Sequence, residues 1–143
     1  MKRLKNFLMQ HSYKLLFIFA TGFFLLVHFL YQGWDFSTYV LNAQYLFDSG
    51  DYFEISRAPL MSVLLWCLSL FGWRIAEYLY IIFISGLFFI SSYLLARGLK
   101  LNEIYFYLFS INAFVLLYGL VEGTELLALA FLELFLFFLI KNR

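Results

Sequence analysis

The chain has 143 residues, 64% of them hydrophobic and 24% aromatic, with a mean hydropathy of +0.86 and a formal net charge of +1. That composition excludes a soluble domain, which needs far more polar surface at this length, and the absence of a basic tract argues against nucleic acid as a partner. It points to a single-domain, all-α membrane protein with the lipid bilayer as its main solvent.

The start, Met1-Lys2-Arg3-Leu4-Lys5, precedes an apolar run from Leu15. No small-x-small cleavage site lies before Trp34 and more apolar runs follow, so the segment reads as an uncleaved first helix. A bilayer span takes roughly 17–25 mostly apolar residues. Stretches 15–31, 75–96 and 104–121 reach that length, and 124–140 is a short fourth, interrupted by Glu133. The run 59–72 is too short to span and reads as a re-entrant or interfacial helix.

Charge placement fixes the direction. With four spans and both termini cytoplasmic, eight of the ten basic residues (Lys2, Arg3, Lys5, Lys14, Arg97, Lys100, Lys141 and Arg143) fall inside, as the positive-inside rule requires. Treating 59–72 as a fifth span would move four of them outside. Seven of the nine acids gather on the outer face: Asp35, Asp48, Asp51, Glu54, Glu77, Glu122 and Glu125.

The outer loop, 32–57, has structure of its own. Phe36, Val40, Ala43 and Phe47 recur at helical spacing, and Ser49-Gly50-Asp51 is a stop signal. The pattern predicts a surface helix over 36–49, lying on the membrane with its aromatic side toward lipid. Cys67 stands alone in an apolar run, which excludes a disulfide framework and reads as a small core residue. His11 and His28 lack metal-ligand spacing and read as structural.

Three groups of polar residues could carry chemistry. Asp35 follows the first span directly and serves either as a helix-capping carboxylate or as a general base at the lipid–water boundary. Arg57 and Arg74 are the only outer basic residues; either could grip a lipid phosphate, or pair with Asp51, Glu54 or Glu77. Glu122 and Glu125 share a helix face and either stabilise a helix N-terminus capped by Thr124 or bind a cation. Glu133 lies inside the fourth span, where a carboxylate is expensive. It either lines a cavity with the other two glutamates or sits protonated against a neighbouring helix.

The order of parts resembles the N-terminal portion of GT-C glycosyltransferases. The likeness rests on Asp35-x-x-x-Tyr39, Ala43-x-x-Leu46-x-x-Ser49-Gly50-Asp51 and Arg57-Ala58-Pro59-Leu60, with Thr124-Glu125-Leu126-Leu127 as a weaker match. That family includes protein O-mannosyltransferases, oligosaccharyltransferases and lipid A aminoarabinose transferases. The resemblance implies a polyprenyl-phosphate-linked sugar as donor and transfer at the extracytoplasmic face. It also implies Asp35 as base or metal ligand. By the same likeness, Asp35, Glu122 and Glu125 would hold a divalent cation, Mg or Mn. Family members usually carry many more spans. Here Phe36 stands where many relatives have a second acid, and Ala58 stands where a proline is frequent. A reading of another class is a non-catalytic helical membrane protein that assembles with a second membrane protein or with itself. A transporter or channel subunit would need more polar residues within the spans.

Overall fold

The computed structural model describes residues 2–31, 33–47, 50–57, 59–119 and 123–142, with side chains from residue 12 onward apart from Trp34. Among these residues the chain is all-α. Seven α-helices follow one another: α1 (Lys2–Leu30), α2 (Trp34–Phe47), α3 (Pro59–Leu68), α4 (Trp73–Gly98), α5 (Glu103–Ser110), α6 (Ala113–Tyr118) and α7 (Glu125–Lys141).

Local chemistry sets their ends. Asp35 sits in the first turn of α2, where a negative charge complements the helix dipole. Pro59 opens α3 at a position where a missing N–H costs nothing. A 3-10 turn, Ser69–Phe71, follows α3 and stops at Gly72, whose φ of 99° a side chain would strain. That reversal starts α4 at once. Asn102 and Asn112 cap α5 and α6: each amide oxygen accepts the N–H groups two and three residues on, at 3.0 to 3.2 Å.

The last of these caps corrects an expectation. Stretch 104–121 is not one span-length helix but α5 and α6, separated at Ile111-Asn112. The Asn112 side chain offers the backbone donors of the next turn a nearer partner than the helical ladder does.

Helix α4 is the mast of the fold. Helix α7 packs along it most extensively, α1, α3 and α5 also lie against it, and α2 lies on α3. The core runs through Phe24, Phe36, Met61, Leu65, Tyr80, Ile84, Phe88, Tyr107 and Leu126. Here the structure corrects a second expectation. The Phe36, Val40 and Ala43 stripe of α2 is buried within the protein and does not face outward. Full burial of Phe36 alone is worth roughly 1.5–3 kcal/mol. Cys67 departs from expectation too, being exposed on α3.

Two helical segments are long and apolar enough to cross a membrane, Ser12–Leu30 and Trp73–Gly98. Large apolar side chains stay exposed along most of the bundle, among them Phe29, Leu70, Phe109 and Phe135.

Candidate functional site

The C-terminal end of α1 and the N-terminal ends of α2, α4 and α7 meet at one end of the bundle. The loop joining α2 to α3 folds back onto α2 there, and Asn42 holds it. The buried Asn42 side-chain amide donates to the Glu54 carbonyl at 2.9 Å and accepts the Glu54 N–H at 2.8 Å. This places Glu54 and Arg57 beside the first turn of α2.

Arg57 then bridges two carboxylates. Its Nη2 donates to Asp35 Oδ1, and its Nε lies 3.2 Å from Glu54 Oε1. Its guanidinium also lies over the Tyr39 ring, 5.8 Å from the centroid. All three charged side chains are about three-quarters buried, with relative exposures of 23% for Asp35, 24% for Arg57 and 30% for Glu54. The Ser56 hydroxyl donates to Glu54 Oε1 at 2.6 Å, and the Tyr52 hydroxyl donates to Glu54 Oε2 at 3.4 Å. The Ser56 bond is the main reason Glu54 titrates below the usual carboxylate range; partial desolvation opposes it and the Arg57 charge reinforces it. For Arg57, desolvation pulls downward, and the bond to Asp35 with the charges of Asp35 and Glu54 outweighs it. The guanidinium therefore stays charged under all ordinary conditions.

The other expected site residues fall as follows. Arg74 is exposed in the first turn of α4, over the Tyr78 ring at 5.9 Å, and does not enter the Asp35 cluster among the described contacts. Glu125 opens α7. The turn before it is tied to α4, where Tyr80 donates to the Gly123 carbonyl at 2.8 Å. A Cβ on Gly123 would lie 2.6 Å from Met61 and 3.2 Å from Phe36. Glu122 lies outside the described residues. Thr124 occupies the N-cap position of α7 without a side-chain cap bond, contrary to the expected role.

Among the described residues no group of three or more His, Cys, Asp or Glu side chains is set to hold a metal ion, and Asp35 is turned to Arg57. The set expected for Mg or Mn, Asp35, Glu122 and Glu125, includes one residue, Glu122, that lies outside the described residues.

Two polar contacts reach across the bundle, and sequence reading missed the first. His28 Nε2 lies 2.9 Å from Glu77 Oε2, both side chains buried, with the imidazole against the rings of Phe36 and Tyr78. The partners are 49 residues apart, and no local pattern announces them. Glu133 meets a neighbouring helix, as one of the two expectations had it. It accepts from Ser91 at 2.6 Å and Ser92 at 2.7 Å on α4, and from Ser110 at 3.4 Å on α5. A run of small hydroxyl residues on the facing helix was the available signal.

Comparison with protein-family models, curated proteins and solved structures gives no match for this chain.

Proposed function

We propose that the chain is a multi-pass membrane protein of GT-C type that moves a sugar from a polyprenyl-phosphate donor to an acceptor hydroxyl at the extracytoplasmic face. Helices α1, α4 and α7 and the α5–α6 pair would cross the bilayer, with the Asp35 end outside. The observation that supports this most is the joining of Asp35 to Arg57 in a partly exposed ion pair at that end.

The pair suits the chemistry of such a transfer. A donor phosphate offers Arg57 a better bidentate partner than one carboxylate oxygen does. Once Arg57 turns to the phosphate, Asp35 is free to take the acceptor proton. The acceptor oxygen then forms its bond to the anomeric carbon as the bond to the phosphate oxygen breaks. Arg57 keeps the leaving phosphate, and the sugar inverts. Positioned general-base catalysis of this kind contributes about 10²–10⁴-fold. Membranes containing the Asp35→Asn variant and supplied with a polyprenyl-phosphate sugar should lose transfer by that factor. Unchanged turnover would overturn the role of Asp35.

A second reading, a non-catalytic subunit of a larger membrane assembly, draws support from three cavities among the described residues, each of about 200 to 240 Å³ and so below the roughly 300–1,000 Å³ of ordinary ligand sites. Copurification with a larger membrane enzyme, with no transfer by the chain alone, would decide for it.

A further inference from the structure

The polar cluster around Glu133 lies apart from the Asp35 site, and the transfer reading leaves it unused. Glu133 is the midpoint of α7, eight residues from Glu125 and eight from Lys141, or about 12 Å from either end. It is 8% exposed. Among the described residues no lysine, arginine or histidine forms an ion pair with it. The titratable groups within electrostatic reach are two hydroxyls, Tyr107 on α5 and Tyr13 on α1, with Glu103 acting on Tyr13 in turn. An intramembrane carboxyl so placed needs a positive partner or a proton.

Three further observations converge on it. First, hydroxyls from two neighbouring helices converge on the carboxylate, Ser91 and Ser92 of α4 on one oxygen and Ser110 of α5 on the other. Second, the hydroxyls have somewhere else to send their protons. Ser91 lies 2.9 Å from the Phe88 carbonyl and Ser110 lies 3.0 Å from the Phe106 carbonyl. Each hydroxyl has one hydrogen and can donate it either to Glu133 or to its own helix. In the second arrangement its lone pairs face the carboxylate side. Third, a cavity of about 240 Å³ lies at Glu133, Ser110 and Asn112, where α5 breaks from α6, and the exposed Phe109 flanks it. Broken helices at mid-depth are where transporters place ion sites, because the break frees backbone carbonyls. The Tyr107 hydroxyl, fully buried, has no hydrogen-bond partner among the described residues.

We propose that Glu133, with the hydroxyls of Ser91, Ser92 and Ser110, is a binding site for a sodium-sized monovalent cation that exchanges with a proton on the carboxyl. All the donors are hard oxygens, which suit alkali and alkaline-earth ions and not softer metals. One carboxylate balances one positive charge, and a divalent ion would leave an uncompensated charge among Phe88, Phe106 and Leu129. The close approach of two hydroxyls to a single carboxylate oxygen favours a small ion over potassium. Exchange is balanced: the protonated carboxyl gives up its proton as the cation arrives. The hydroxyl hydrogens of Ser91 and Ser110 then swing to the backbone carbonyls.

The test uses the full chain in lipid vesicles and the apolar reagent dicyclohexylcarbodiimide. The reagent takes up the proton of a buried carboxyl, adds to its oxygen and rearranges to a stable acylurea readable by mass. Glu133 should be labelled at mildly acidic pH. Labelling should slow about tenfold when sodium stands about ten times above its dissociation constant, and choline or potassium at equal ionic strength should not slow it. In the Ser92→Ala variant the carboxyl remains and should still be labelled, while sodium protection weakens. Labelling equally indifferent to sodium and choline identifies a merely protonated carboxyl and overturns the proposal. So does a Glu133 that is never labelled.

Discussion

Asn42 and Glu54 bond to each other twice, the amide side chain of one closing a ring with the backbone of the other at 2.8 and 2.9 Å. This pairing turns a loop rich in charge into a fixed wall of the Asp35 cluster. Asn42→Ala would leave the Glu54 N–H and C=O without these partners at a part-buried position, costing about 1–3 kcal/mol. The expected outcome is faster tryptic cleavage at Arg57–Ala58 in detergent, with the cleavage pattern of α4 unchanged.

The Asp35–Arg57 pair separates structure from chemistry. Partly exposed ion pairs are worth only about 1 kcal/mol or less, so Asp35→Arg and Arg57→Asp should each loosen the loop modestly. The double exchange should recover protection at Arg57–Ala58, now read at the substituted position by a protease that cuts beside aspartate. On the proposed transferase reading it should not recover sugar transfer, because the carboxylate and guanidinium would have changed places around the acceptor and the donor phosphate.

Acid should loosen the same loop. Glu54 titrates below its ordinary range in the folded protein. Its contribution to stability is therefore complete above the unfolded carboxylate value and is lost as pH falls through the lower folded one. Arg57 is raised instead; its contribution persists everywhere below its unfolded value and fades only in strong alkali. Hydrogen exchange of residues 52–57, corrected for intrinsic rates, should accelerate as pH drops below the ordinary carboxylate range. The amides of α4 should serve as an unmoved reference.

Removing His28 should cost more than any loop change. The imidazole meets Glu77 within a buried contact at 2.9 Å, and hydrogen bonds to charged groups are worth about 1.5–3 kcal/mol. His28→Ala would also strip the packing against Phe36 and Tyr78. We expect a lower midpoint of thermal unfolding in detergent, followed by near-ultraviolet circular dichroism. The loss should be smaller for Glu77→Gln, which keeps an acceptor.

Much of this architecture is legible in the residues. The apolar run 75–96 falls within α4, the run 15–31 falls within α1 but for its last residue, and the helix expected over 36–49 is met by α2, which starts two residues earlier. Stretch 59–72 likewise matches α3 with its 3-10 turn. Periodicity shows that Phe36, Val40 and Ala43 share a face, but it cannot say which apolar medium that face meets; here it is the protein's own interior. Averaged hydropathy passes over Asn112, because one capping side chain barely changes the mean while it ends the hydrogen-bond ladder locally. The candidate site divides the same way. Asp35 and Arg57 carry visible signals, but their partnership does not: the acids expected for Arg57 are Asp51, Glu54 and Glu77, of which it meets Glu54, while Asp35 comes to it only through the folded loop. The His28–Glu77 contact depends on how helices dock, which no neighbouring residue records, and for Glu133 the adjacent Ser91 and Ser92 on α4 are the one sequence signal of a partner.

The central place of α4 also bears on how the chain is made. Residues emerge from the ribosome in order, so α3 can meet α2 first, while α1 finds its main packing surface only once α4 has been made. The most extensive interface, α4 with α7, must wait for α7. Until then a long face of α4 stands uncovered, so premature termination before α7 should leave a product that quality-control proteases remove quickly.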